Sequence, residues 1–236
     1  MVALFKARIE AQLAHQLKLR TQELWKMRKG KKKLPFITIS REFGCRVYPI
    51  VETLQDKLNR LTGKEYPWAV FDKEVIHKIA EEHNLSETLA NSLDENQRSQ
   101  MQQYMDHIFL GRPNEYKIFQ YLTRVLIGLA EKGNAILIGR GGCIITKNVE
   151  RGIHVRLIAP FEFRKEKIRD EMGISEDEAV KLVTRTENER EAFVEKYTLK
   201  SIKDPYNFHI LVNSALNSLD EIAEVIIHNL KIKGYI

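Results

Sequence analysis

The sequence predicts an α/β protein: a five-stranded parallel sheet with helices on both faces, plus an N-terminal helical extension. Three observations predict it. From Phe36 onward, short apolar runs alternate with stretches of helical period, the order that a parallel sheet covered on both faces requires. The runs "NAILIG" (134–139) and "IHVRLIAP" (153–160) are apolar enough to be central strands. Residues 1–33 differ in kind from the rest: they hold ten Lys/Arg against Glu10 and Glu23, a net of +8, whereas the other 28 basic and 30 acidic residues sum to −2.

The elements follow in order. Over residues 2–28, Phe5, Ile9, Leu13, Leu17, Leu24 and Trp25 recur on roughly one face, which predicts an amphipathic helix. "RKGKKKLP" ends it, with Gly30 and Pro35 as punctuation, so a basic helical extension over 1–35 precedes an α/β domain over 36–236. "FITIS" is a strand, "PIVETLQDKLNRLTG" a helix closed by Gly63, and "WAVFD" a second strand ending in Asp72. Helices then run from Lys73 to about Lys132, with breaks near "HNLS", "LDEN" and "GRPN". After the two central strands come the helices "FEFRKEKIRDEMG" and "SEDEAVKLVTRTENEREAFVEKY", the second opened by Ser175 with Glu178 three residues on, a capping box. "FHILVN" is the last strand, and a helix over 218–230 closes the chain.

Composition narrows the class. With 43% hydrophobic and 30% charged residues, the chain reads as a soluble globular protein. No apolar run approaches the ~18 residues a membrane span needs. Lys6, Arg8 and Glu10 stand where a signal peptide is apolar, so the expected location is cytoplasmic. Cys45 and Cys143 are too few for a disulfide framework and lie in no zinc-site spacing, and no metal ligands are assigned from side-chain spacing. The basicity belongs to the extension, not to the body, which argues against a nucleic-acid groove. Through residues 1–33 the candidate partners are a second copy of the chain, another protein or an anionic surface. His77, His83, His107, His154 and His209 are scattered over helices and strands and read as structural.

In a sheet of this kind, ligands gather outside the carboxyl ends of the strands. Four segments converge there: Arg41 to Tyr48, Asp72 to Glu74, Gly139 to Cys143, and Pro160 to Arg164. Their polar side chains are Arg41, Glu42, Arg46, Asp72, Lys73, Glu74, Arg140 and Arg164. Arginines of this kind suit phosphate, and the carboxylates suit Mg²⁺ or a base edge.

The segments "ITISREFG", "FDKEVIHKIAEEHNLSE", "AILIGRGG", "VRLIAPFEFRKEKI", "GISEDEAVKLV", "KYT", "DPYNF" and "VNSA", in this order and with Arg190 before "KYT", resemble the cytidylate kinase-like family of the P-loop nucleoside monophosphate kinase group. The resemblance runs from about Phe36 to the C-terminus. It implies a P-loop NTPase-type sheet, nucleotides as partners, ATP and Mg²⁺ as cofactors, and transfer of the ATP γ-phosphoryl to a nucleoside monophosphate-like acceptor. By position, Arg41 matches the arginine of "SREFG" beside the phosphates, and Asp72 matches the aspartate after the second strand. Arg140 matches the "GR" arginine that faces the acceptor phosphate. Arg185 and Arg190 fall in the lid segment, where the resemblance makes them catalytic with Arg140. Gly44, Arg46 and Arg164 join Arg41 and Asp72 as phosphate- or nucleotide-binding candidates. Asp204, Asn213 and Ser214 match the "DP" and "NS" elements.

The departures fall on the loop. Where the family has approximately Gly-Ser-Gly-Gly-Arg-Glu-Ile, this chain has Gly44-Cys45-Arg46-Val47-Tyr48-Pro49-Ile50. Arg46 and Val47 replace glycines, and a β-branched residue is ill suited to positive φ. Pro49 removes an amide, and Tyr48 stands where the phosphate-clamping cation belongs. The sequence therefore predicts no standard glycine-loop grip. Cys143 and Phe208-His209-Ile210 replace the family's acceptor-side aspartates. Two functions compete: a phosphotransferase whose arginines and Mg²⁺ replace the loop, and a catalytically degenerate kinase-fold protein acting as a nucleotide- or anion-binding or regulatory module.

Overall fold

A computed structural model describes residues 33–63, 67–81 and 117–236, together with a few positions between 95 and 105. The extension helix expected over 2–28 lies outside the described residues, as do the breaks near "HNLS" and "GRPN" and all of "LDEN" but Glu95.

The sheet is built from β1 (Phe36–Arg41), β2 (Ala69–Phe71), β3 (Ala135–Ile138), β4 (Gly152–Ile158) and β5 (Ile210–Asn213). Its order is β2-β3-β1-β4-β5, and every neighbouring pair is parallel. β1 lies at the centre, with Phe36 opposite Ala135 on one side and Gly152 on the other. Ile37, Ile39, Ile136, Leu137, Ile138, Ile153, Val155 and Leu157 are wholly buried, so the apolar runs have the two covered faces that parallel strands need.

The helices are α1 (Val47–Thr62), α2 (Lys73–Glu81), α3 (Lys117–Lys132), a single turn α4 (Gly142–Ile145), α5 (Phe161–Met172), α6 (Glu176–Thr198) and α7 (Leu219–Ile232). The chain moves from β1 outward to β2 and then back through β3 toward β5. Right-handed crossovers therefore put α1 on one face and α2 to α4 on the other. The packing agrees: α1 lies against α7, and α2 against α3. Ser175 and Ser218 each form a complete capping box, with Glu178 and Glu221, and so set the starts of α6 and α7.

The start of α1, the start of β5 and one short turn differ from the sequence expectation for identifiable reasons. α1 begins at Val47 instead of Pro49, because proline is tolerated in a first turn whose amides have no helical partner. The positive φ of the preceding loop falls on Gly44 (95°) and Arg46 (52°), so Val47 is spared the strain the sequence assigned to it. β5 starts at Ile210 and not at Phe208. Asp204 accepts a hydrogen bond from the Tyr206 amide and caps a 3-10 turn, Pro205–Asn207, that consumes the preceding residues. The turn α4 was not anticipated; it follows a left-handed N-cap at Gly141. Among the described residues, no helix is long and apolar enough to cross a membrane.

Candidate functional site

A cleft of about 360 Å³ opens at the carboxyl ends of β1 and β3, beneath α6. Its walls include Arg41, Arg140, Arg156, Arg190 and Phe193. Arg41 ends β1. Arg140 follows β3 in a left-handed conformation (φ 56°) between Gly139 (75°) and Gly141 (68°), so three successive left-handed residues turn the backbone at the strand end. Gly139 is needed on a second count: the Arg41 guanidinium lies where its Cβ would be. Arg190 comes from α6.

These three guanidinium groups converge in a cleft whose wall also carries Glu42, Glu187, Glu189 and Glu191. Among the described residues none of them forms an ion pair, and the buried Arg41 Nε and Arg190 Nη1 have no hydrogen-bond partner. Two of them lie over aromatic faces, Arg140 at 4.6 Å from the Phe193 centroid and Arg190 at 5.0 Å from that of Phe43. Burial, then repulsion from Arg140, lowers the Arg41 pKa, although Tyr48 and Asp72 oppose it. Burial, then Arg190, lowers that of Arg140. Burial, then Arg41, brings Arg190 down to about 10, which leaves it charged at neutral pH. Buried cationic donors without acceptors are costly, and an anion that satisfies several at once removes that cost.

The loop after β1 is arranged differently from the cleft. A Cβ on Gly44 would lie 2.7 Å from the Arg164 carbonyl oxygen and 2.8 Å from its Cβ, so this glycine serves the close approach of α5. Arg164 is buried under the loop: its Nε donates to the Ala159 carbonyl (2.9 Å) and its Nη1 to Glu187 (2.5 Å), with Glu42 3.4 Å from Nε. The Phe43 amide donates to the same Glu187 oxygen at 3.2 Å. Arg46 caps α1 through its backbone conformation, outside the cleft wall.

The remaining predicted residues separate by role. Asp72 Oδ1 accepts from the amides of Glu74 and Val75, both at 3.0 Å, and so caps α2. Lys73 reaches the cleft wall; Glu74 is exposed on the first turn of α2. Arg185 is exposed and lies 3.8 Å from Glu189, a residue of the cleft wall, without lining the cleft itself. Cys143 lines the cleft but is buried, which pushes its thiol up to about 12; burial likewise takes Cys45 to about 11. Neither is a ready nucleophile. Asn213 and Ser214 close the end of β5, where the Ser214 amide donates to the Ile158 carbonyl at 2.8 Å.

Structure thus brings Arg41, Arg140 and Arg190 together and leaves Gly44, Arg46, Asp72, Arg164 and Arg185 off the cleft wall. Arg156 and Phe193, which line the cleft, were not singled out as site residues from the sequence, nor was Glu187. A charged residue inside the apolar run "IHVRLIAP" was the signal for Arg156, which donates to Ser40 Oγ at 3.2 Å. Glu187, Arg190 and Phe193 are spaced by three along α6, hence neighbours on its surface, and that spacing was the signal for the other two.

The strand order and the arginine-lined cleft at its carboxyl edge define a P-loop kinase-like α/β protein. The profile of the cytidylate kinase-like family matches residues 36–216, and the chain belongs to that family. No curated protein matches. Among solved structures, an uncharacterized protein from Eubacterium ventriosum is 15% identical, with a TM-score of 0.55 over 84% of this chain and 98% of that one, a likeness of fold alone. A shikimate kinase from Bacteroides thetaiotaomicron is 14% identical over 85% of this chain and 98% of its own, with a TM-score of 0.43. TT1252 from Thermus thermophilus is 18% identical over the same shares, also with a TM-score of 0.43.

Proposed function

We propose that this kinase-like protein binds a nucleotide by its phosphate, seated on Arg41, Arg140 and Arg190, and that it works in the cytoplasm. The observation that carries this reading is the meeting in one cleft of three guanidinium groups that form no ion pair among the described residues, two of them with an orphaned N–H donor. Phe193, Val194 and Ile202 supply an apolar wall beside them for the rest of the ligand.

ATP and Mg²⁺, which the family implies, do not fit the loop in this arrangement. The Phe43 amide and Arg164 already hold Glu187, and Gly44 is closed against α5. Binding without transfer is therefore the reading the geometry favours. Transfer of the ATP γ-phosphoryl is the second reading, favoured by the kinase-like family and by the position of Arg190 on the helix above the cleft.

A thermal-shift panel of CMP, dCMP, ATP and GTP, with and without Mg²⁺, tests both. We expect a shift with the monophosphates that is independent of Mg²⁺. Arg140→Ala should weaken that binding about 10- to 100-fold, the loss of one charge-assisted contact of roughly 1.5–3 kcal/mol. No shift with any of these nucleotides overturns the proposal. An Mg²⁺-dependent shift with ATP, accompanied by ADP formation when CMP is added, establishes the second reading instead.

A further inference from the structure

The donors left in the glycine-poor loop are occupied, and their occupant belongs to the protein itself. The Phe43 amide and Arg164 Nη1 meet on one oxygen, Glu187 Oε1, at 3.2 and 2.5 Å. Arg164 is held in place by its other contacts, with the Ala159 and Phe43 carbonyls at 2.9 and 3.3 Å and Glu42 at 3.4 Å. A fixed guanidinium and a loop amide converging on one oxygen, between a strand end and a helix start, form a donor set suited to a phosphate oxygen. Glu187 reaches it from α6, one helical turn before Arg190, whose side chain faces the cleft. Glu187 itself contributes to the cleft wall, so the loop donors and the arginine cluster adjoin.

We infer that Glu187 is an internal stand-in for a phosphate oxygen: its carboxylate latches α6 onto the loop, and an oligophosphate extending from the arginine cluster binds by displacing it. The inference rests on the reading of Arg41, Arg140 and Arg190 as the seat of the ligand's first phosphate. It adds a second anion site, closed at rest, and a coupling between that site and the first. When Glu187 leaves the loop, α6 loses a tether, and Arg190 is on the same turn of helix. A plain structural ion pair would have neither consequence, because no external anion would compete for its place.

The test compares Glu187→Ala with Glu195→Ala, which removes the same charge from an exposed position of the same helix outside the cleft wall. Binding of sodium tripolyphosphate and of inorganic phosphate is measured by calorimetry at fixed ionic strength. Thermal unfolding is followed in formate and in chloride at equal concentration. Glu187→Ala should bind tripolyphosphate about tenfold more tightly than the parent chain, a gain of about 1.4 kcal/mol, while Glu195→Ala stays within about threefold. Formate, which replaces the missing carboxylate, should raise the melting temperature of Glu187→Ala more than chloride does, and should have no such advantage in the parent. Equal gains in the two variants, or absence of either effect in Glu187→Ala, overturns the inference. If Glu187→Ala does not fold, Glu187→Gln keeps the side-chain shape without the charge, and its tripolyphosphate gain over Glu195→Gln decides. The two readings fail separately. Formate rescue together with nucleotide binding unchanged in Arg140→Ala would sink the arginine seat and leave the latch standing.

Discussion

Gly44 owes its identity to α5. Its φ of 95° and the Arg164 backbone against the face where a Cβ would project leave no room for a side chain. Gly44→Ala is expected to destabilise the fold by roughly 2–4 kcal/mol, from backbone strain together with displacement of Arg164. Urea unfolding checks it, and a change under about 0.5 kcal/mol would show that the contact is relieved at no cost. In the sequence this glycine reads as a phosphate-approach position, because the strand-glycine-helix order is the same in both cases. What the sequence lacks is the partner: Arg164 lies far along the chain, and only the fold brings it under the loop. The same limit explains why Arg164 and Arg190 looked alike as cations. Arg164 is buried and ion-paired with two carboxylates, whereas Arg190 lines the cleft with its buried Nη1 lacking a hydrogen-bond partner, a difference set by where Glu42 and Glu187 are placed. Arg41 and Arg140 were legible because each ends a central strand, and topology alone carries both to the same edge of the sheet.

Among the elements, α2 depends on the residue that ends the second strand. Asp72 accepts two amide hydrogen bonds at 3.0 Å from the first turn of the helix, whose amides have no partner within the helix itself. Asp72→Ala should cost about 1 kcal/mol, whereas Asp72→Asn, an equally good cap, should cost a few tenths. Chemical denaturation of the two variants distinguishes a cap from a charge: equal losses in both would mean that the negative charge matters and the hydrogen bonds do not. Strands and long helices were legible in the sequence, since burial on two faces and the capping box at Ser175 leave compositional traces. Short elements were not. The single turn α4 depends on left-handed Gly141, and the 3-10 turn at Pro205 on a local Asp204 cap; neither has a period long enough to detect.

For the molecule as a whole, strand alternation predicts five parallel strands but not their order, because nothing in a single strand records which neighbour it takes. The order seen places β1 between β3 and β4, and it buries His154 of β4 beside β1. His154 on β4 shares a 2.8 Å hydrogen bond between its Nδ1 and the Thr38 hydroxyl of β1, and its amide donates to His209 Nδ1 at 3.0 Å. Burial, then repulsion from His209 and Lys147, lowers the His154 pKa to about 3. Burial, then Lys233, lowers that of His209 as well. In the unfolded chain both imidazoles take up a proton near their ordinary value of 6.5, while folded His154 stays neutral down to about 3. Between those limits the unfolded state binds more protons, so stability rises with pH across the window and is lost as pH falls through it. The parent protein should therefore lose stability steadily between about pH 6.5 and 4, and His154→Asn should unfold with a slope shallower by about one proton over that range. Urea midpoints at several pH values measure the slope. Parallel curves for parent and variant would mean that His154 is protonated in the folded sheet, and that the hydrogen bond from β1 to β4 survives the charge.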